Sequence, residues 1–502
     1  MNRTYPKILR NRKARLQRRL APRHWSDQPE PMFGASNIHY AMAQRTEAHS
    51  YGGIGAVHLL VQKLGLVKEI DAHLQLLKVH LPYHESDHVL NIAYNVLLGG
   101  QRLEDMELRR QNESFLQGLG AQRSPDPTTA GDFTRRFGVA DLTQLQECIN
   151  RTRQRVWAQQ PKGFLAEAFI DVDGTIAGTY GECKAGIGLS YKGIWGYGPL
   201  LVSLANTKEV LYLVNRPGNV ASHQDSVAWI DRAIALVQPV AGRITLRGDT
   251  DFSHTAQLDR WDENNIKFIL GLDAHPKVVA LAEELSERSW QPLARLPKYE
   301  ILTEPRRKPQ RVKEQIVVQK GYRNQKLVAE HVTDIAYQPH RCAQKYRLVI
   351  LRKNISVQKG EQVLFAEMRY FFYLTNRWDL SVEQIVGLAN GRCDQENVIE
   401  QLKNGVNAMR MPVDDLVSNG AYMVMAALAW NLKAWYGLLV PDRDRGLALV
   451  RMEFRRFLHA IMLIPAQIIR TGRRIIYRLL GYNSWLRDFF ATFERIAAWD
   501  GG

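Results

Sequence analysis

At 502 residues the chain is long enough for about three domain-sized units of roughly 150 residues each, so it needs no disulfide or metal staple to stay folded. Hydrophobic residues make up 45% and charged residues 24%, which excludes a largely disordered chain, and 67 Lys+Arg against 51 Asp+Glu give a formal charge of +16. The four cysteines (Cys148, Cys183, Cys342, Cys393) lie far apart with no C-x-x-C pair, which excludes a disulfide scaffold or a cysteine zinc cluster and suits a reducing compartment.

The positive charge is clustered. Residues 1–26 carry nine Lys/Arg and no acid, residues 295–326 are +7 and include Arg306-Arg307-Lys308, and residues 451–487 are +7, so the rest is net acidic. Such blocks are the electrostatic footprint of a polyanion binder, because each neutralised phosphate releases counterions. No run reaches the ~20 apolar residues that span a bilayer. The best candidate, 420–430, is interrupted by Asn431 and Lys433, so a cytoplasmic protein with no membrane partner is expected.

In chain order, residues 1–50 read as a basic flexible arm, broken by Pro29, Pro31 and Gly34. Residues 51–160 read as a helical DNA-binding region. Leu59, Leu60, Leu64 and Leu66 form one apolar face, Val89, Ile92, Ala93, Val96 and Leu97 another, and Pro127-Thr128-Thr129 opens a helix before Phe133 and Phe137. From 161 to 272, strand-like runs at 164–171, 199–205, 210–214, 243–246 and 267–272 alternate in part with helical patterns at 226–237 and 256–264. They imply an α/β fold, a mixed sheet covered by helices. Residues 273–368 turn β-rich, with runs at 312–319, 327–337 and 346–352, and a further run follows at 369–375. Ser381-Val382-Glu383-Gln384 is then a capping box that starts a helix within a second core segment, 369–440. Apolar helices are predicted at 420–440 and 451–470, the latter inside a basic C-terminal helical region, 441–502.

Three acidic sites stand out. In Phe169-Ile170-Asp171-Val172-Asp173-Gly174-Thr175, strand periodicity puts Asp171 and Asp173 on one face. In Ile244-Thr245-Leu246-Arg247-Gly248-Asp249-Thr250-Asp251-Phe252 an acid again follows a strand, and strand ends beside a crossover can converge at one sheet edge. In the helix after Ser381, Arg392, Glu396 and Lys403 fall within roughly 40° of each other at ~100° per residue, with Glu400 a rival carboxylate near the same face. One carboxylate between two cations suits a metal ligand beside anchored phosphates. Carboxylates from two strands and one helix can seat two divalent cations about 4 Å apart, which activate the attacking oxygen and stabilise the leaving one. Hard oxygen ligands favour Mg²⁺ or Mn²⁺ over zinc.

This arrangement resembles the DDE transposases of bacterial insertion sequences. Arg392, Glu396 and Lys403 match the last three positions of the signature Y-x2-R-x3-E-x6-K of the insertion-sequence-four superfamily, while its tyrosine position holds Ala389. Asp173-Gly174-Thr175 is similar to a D-x-T element, which favours Asp173 over Asp171. Arg247-Gly248-Asp249-Thr250-Asp251-Phe252 is similar to R-x-D-S-G-F, which favours Asp249 over Asp251, although Asp251 stands at the glycine position. Segments 99–105, 128–137, 197–200 and 216–219 resemble the insertion-sequence group whose founding member is numbered thirteen-eighty.

The resemblance implies a prokaryotic, nucleoid-associated enzyme with an RNase H-like core, a β-strand insertion before the glutamate, and Asp173, Asp249 and Glu396 as catalytic metal ligands. Arg392, Lys403, Arg247, Arg306, Arg307 and Lys308 are then expected on DNA. It further implies a homodimer in a synaptic complex, acting on double-stranded DNA (terminal inverted repeats and target) by end nicking, a hairpin intermediate and attack of a 3′-hydroxyl. An inactive transposase-derived DNA-binding protein, and a nuclease that cuts without joining, are the alternatives. Trp195, among Gly193, Gly196 and Gly198, is expected to be exposed and to touch DNA, whereas Trp430 and Trp435 lie on an apolar helix and belong to a core. His80, His84 and His88 recur every four residues, but Pro82 interrupts the run and no acidic or cysteine partner has zinc spacing, so no metal site is assigned there.

Overall fold

A computed structural model describes residues 5–21, 35, 38–40, 46–295 and 312–499. Strands such as Leu200–Leu204 and Ile244–Gly248 are buried at every position, the pattern of a sheet covered on both faces. They belong to a nine-stranded mixed sheet. In chain order its strands are β1 (Ala168–Gly174), β2 (Leu200–Leu204), β3 (Glu209–Val214), β4 (Ile244–Gly248), β5 (Lys267–Leu272), β6 (Gln291–Pro292), β7 (Arg323–Tyr337), β8 (Tyr346–Lys359) and β9 (Gln362–Thr375). Their spatial order is β6-β7-β8-β9-β5-β4-β1-β2-β3. β1 runs parallel to β4, and β4 parallel to β5, while β1–β2, β2–β3 and β9–β5 are antiparallel.

The strands of the β-rich segment run on from the core sheet, and β9 crosses from the expected insertion (273–368) into the second core segment (369–440). β9 pairs with β5 from Phe372↔Leu272 to Thr375↔Ile269, and its Phe372 and Leu374 enter the same apolar core as Phe268 and Leu270. Val312–Gln319, expected as a strand, is an exposed helix.

The principal helices are α1 (Glu85–Leu97), α2 (Val139–Trp157), α3 (Val382–Gly391), α4 (Cys393–Glu400) and α5 (Leu416–Leu438). α5 is apolar all round and buried from Ser418 to Gly437, so it must be surrounded rather than merely covered. α1 and α2 pack on it, and one continuous core joins them to α5 and to the C-terminal segment. The region 51–160 thus shares its core with the rest of the chain. Trp435 lies in that core and Trp430 is buried beside it.

Both ends differ from expectation. Within the arm, Tyr5–Leu20 is a helix whose Arg12 donates to the carbonyls of Leu479 (3.1 Å) and Gly481 (2.8 Å). The predicted helix at 451–470 stops at Met462, and Pro465 precedes a hairpin of Ala466–Thr471 with Arg474–Leu479. That hairpin pairs with Ala48–His49. Among the described residues no helix is long and apolar enough to cross a membrane.

Three imidazoles withdrawn from water, two of them buried, set an acid limit on this fold. Burial pushes His49, His88 and His254 each down to about 4, and His88 is stacked on Phe133 with ring centroids 4.3 Å apart. Below pH 6.5 the unfolded chain takes up protons that the folded chain refuses, so stability falls as the pH drops from 6.5 toward 4. By pH 5 each such histidine is expected to cost about 2 kcal/mol, and His88→Phe is expected to shrink the fall in melting temperature between pH 7 and pH 5. An unchanged pH profile in that variant would exclude His88 as a contributor.

Candidate active site

Asp173 and Asp249 meet because their strands are neighbours. β1 and β4 are parallel, with Asp171 opposite Arg247, so both chains deliver an aspartate at the same sheet edge. Asp173 lies near the end of β1, and Asp249 follows the last residue of β4, its carboxylate accepting from the amide of Asp251 at 3.1 Å.

The third element comes from the helices. The Ser381 hydroxyl accepts from the Gln384 amide, and the Gln384 side chain accepts from the Ser381 amide, so α3 starts where the capping box predicts. Arg392 joins α3 to α4 with helical dihedrals (φ −60°, ψ −28°). Its Nη1 lies 3.1 Å from Asp173 Oδ2 and 4.0 Å from Asp249 Oδ2. One guanidinium thus bridges acids from two strands.

Glu396, one turn on, is exposed, and its charge acts on Asp173. Glu400 is turned to Asn404, whose side chain donates to it at 2.7 Å. A π-helical turn at Gln401–Gly405 then carries Lys403 to the Ile176 carbonyl, 2.9 Å away on the segment leaving β1. Burial lowers the Lys403 ammonium from its ordinary value, and Lys192 adds a second positive charge nearby.

Asp173 is 13% exposed, and burial pushes its carboxyl up to about 6, with Arg392 opposing and Asp249 and Glu396 reinforcing the shift. Burial also raises Asp249, again opposed by Arg392, with Asp251 and Asp273 adding to the rise. The site therefore holds more negative charge than one guanidinium balances. Among the described residues, two groups bring three ligand atoms within 4.8 Å, Glu69–His73–Cys148 and His80–His84–Glu85. Asp173, Asp249 and Glu396 do not form such a group.

Other sequence-predicted residues fall as follows. Asp171, the rival to Asp173, is buried in a two-pronged pair with Arg247 at 2.6 and 2.8 Å. Arg247 was expected on DNA, but it is 5% exposed and its remaining nitrogen donates to the Leu388 carbonyl, so its donors are committed inside the fold. Trp195 is 56% exposed, on a small sheet formed by Ala177–Gly178, Trp195–Tyr197 and Gly188–Leu189 between β1 and β2. Arg306, Arg307 and Lys308 lie outside the described residues.

In the histidine run, His80 Nε2 meets Glu85 Oε2 at 3.0 Å, an acidic neighbour that helical spacing did not reveal, while His88 turns to Phe133. Glu85 is already held by the amides of Leu76 and Leu77. Two residues near the site had no motif to mark them. Tyr373 of β9 packs in one cluster with Ala389 and lies within the electrostatic reach of Arg392. Gln395 is buried beside Glu396, and the inward spacing Gln395, Val398, Ile399, Leu402 is the signal that could have found it.

A family model described as transposase DDE domain group 1 matches residues 41–500. No curated protein matches the chain. Among solved structures, the cryo-EM structure of the piggyBac transposase synaptic complex with hairpin DNA covers 83% of this chain and 84% of that chain, at 12% identity and a TM-score of 0.36.

Proposed function

The chain belongs to the group 1 DDE-domain transposases, and on that premise we propose that it cuts and joins DNA at a centre formed by Asp173, Asp249 and Glu396. The observation that carries this reading is Arg392, which lies 3.1 Å from one aspartate and 4.0 Å from the other on the helix path that also bears Glu396. The strand order β3-β2-β1-β4-β5, with β1 parallel to β4 and antiparallel to β2, supports an RNase H-like core. Strands β7 to β9 would be the β-rich element carried between the second aspartate and the glutamate.

The donor set fits hard divalent cations. It offers carboxylate oxygens alone, and it carries more negative charge than Arg392 balances. Asp173, Asp249 and Glu396 would hold Mg²⁺ or Mn²⁺, and a bound pair supplies an activated attacking oxygen and charge neutralisation of the leaving one. Arg392 and Lys403 would hold the phosphates flanking the scissile bond, as charge-assisted donors do. Trp195 would stack on a base beside the cut.

The substrate in this reading is double-stranded DNA, namely the terminal inverted repeats of a bacterial insertion sequence and a target. A homodimer would hold two ends through nicking, hairpin formation and 3′-hydroxyl strand transfer. The deciding experiment supplies Mg²⁺ with pre-cleaved ends in one arm and uncut, end-labelled duplex in the other. Joined products are expected. Cutting without joining would leave a nuclease, and end binding without either would leave a DNA-binding protein. Trp195→Ala is expected to weaken hairpin formation or strand transfer more than end binding, scored on the same gels. Unchanged products would remove it from the DNA path.

A further inference from the structure

Each of the three carboxylates has a buried neighbour in sequence, and those neighbours are tied into one knot. Asp171 lies two residues before Asp173, Arg247 two before Asp249, and Gln395 one before Glu396. Arg247 grips both oxygens of Asp171 at 2.6 and 2.8 Å and donates to the Leu388 carbonyl of α3 at 3.0 Å. Gln395 donates from α4 to the Asp171 carbonyl at 3.0 Å and to the Leu201 carbonyl of β2 at 3.3 Å. Asp173 pairs with Leu201 across the sheet, so the amide clamps the stretch of β1 that carries the first carboxylate. Gly391 leaves the space, since a Cβ there would come within 2.6 Å of Arg247 Nη1.

Resting on the reading above, we propose that Asp171, Arg247 and Gln395 are positioning residues. They lock two strand ends and the α3–α4 path together so that three mutually repelling carboxylates keep the spacing a divalent cation needs. Folding alone explains this polar knot poorly. The Gln395 Oε1 atom is buried with no hydrogen-bond partner, and an apolar side chain would avoid that penalty. The amide is explained by its two donations, one to each strand of the pair that carries Asp173.

Outer-shell partners of a metal site, when removed, cost about 10- to 100-fold in metal affinity. The test is a Mn²⁺ titration of the full chain, followed by electron paramagnetic resonance of the free ion and paired with melting curves in metal-free buffer. Gln395→Met and Gln395→Leu remove the donors together with the orphaned oxygen, and Arg247→Lys keeps the charge but loses the fork. The Gln395 variants are expected to melt like the parent yet bind Mn²⁺ at least about tenfold more weakly, whereas Arg247→Lys is expected to lose both Mn²⁺ affinity and melting temperature, because the pair it disturbs is buried. Either Gln395 variant, folded and binding Mn²⁺ within about twofold of the parent, overturns the proposal. Asp173→Asn runs alongside. If it too leaves Mn²⁺ binding unchanged, the carboxylate centre itself fails, whereas loss of binding in Asp173→Asn alone sinks only the positioning role.

Discussion

Asp173→Asn, Asp249→Asn and Glu396→Gln are each expected to lower Mg²⁺-dependent strand cleavage by about 10³-fold or more, because a group that acts on the reacting atoms as part of a unit leaves little when removed. End binding should persist, since it draws on basic surfaces away from the carboxylates. Asp173 also gives a control that separates chemistry from folding. Burial has raised its carboxyl to about 6, so at neutral pH its charge is a burden on the fold. Its neutral isostere should melt at the same temperature as the parent or higher. Cleavage of end-labelled duplex and band-shift assays on the same preparations check both halves, and parent-level cleavage by any one variant would remove that residue from the centre.

The largest effect on stability is expected at Glu209. It forms with Arg153 an ion pair that is wholly buried on both sides. Its carboxylate also accepts from Trp157 Nε1 (3.0 Å), Trp435 Nε1 (2.7 Å) and Thr207 Oγ1 (2.5 Å). This one side chain therefore joins α2, β3 and α5. Glu209→Gln keeps the size but leaves the Arg153 guanidinium buried without its counter-charge, at a cost of about 3–5 kcal/mol. Denaturant or thermal melts would read the loss. Restoring neutrality with Arg153→Met in the same chain should recover only part of it, because the two indole donors and the threonine hydroxyl would still face a weaker acceptor. A melting temperature unchanged by Glu209→Gln would show that water reaches the pair in solution.

Arg392 links these two kinds of effect. It is the cation closest to both aspartates, and in the proposed mechanism it also serves phosphate. Arg392→Gln should therefore bind Mn²⁺ no more weakly than the parent, since a competing cation has gone, while cleavage falls. Parallel loss of both would assign it to holding the carboxylates alone.

Much of the site was legible because its signals are local. A strand that ends in an acid, an Arg-x3-Glu-x6-Lys spacing and a capping box each depend on residues within about a dozen positions, where backbone period decides what shares a face. Strand period alone left Asp171 and Asp173 open, and only the resemblance of Asp173-Gly174-Thr175 to a D-x-T element favoured the second. Both lie on one face of β1, and what separates them is Arg247, 76 residues away, which takes one carboxylate out of solvent. The same contact holds Arg247, which the resemblance had placed on DNA, inside the fold. The β-rich segment was legible as strand-dense, but that β9 continues from it into the core and pairs there with β5 was not, because pairing partners are not written in a strand's own pattern.

By itself, the amino-acid sequence determined the chemistry on offer, which was hard oxygen donors beside fixed cations on a basic chain, and most of the secondary structure around them. Only the tertiary structure decided which acids stand open, which basic side chains are spent inside the fold, and that three distant segments meet at one guanidinium. The reason is physical. Side-chain type and backbone period are properties of neighbours along the chain, whereas burial and ion pairing depend on residues that folding brings together from far apart.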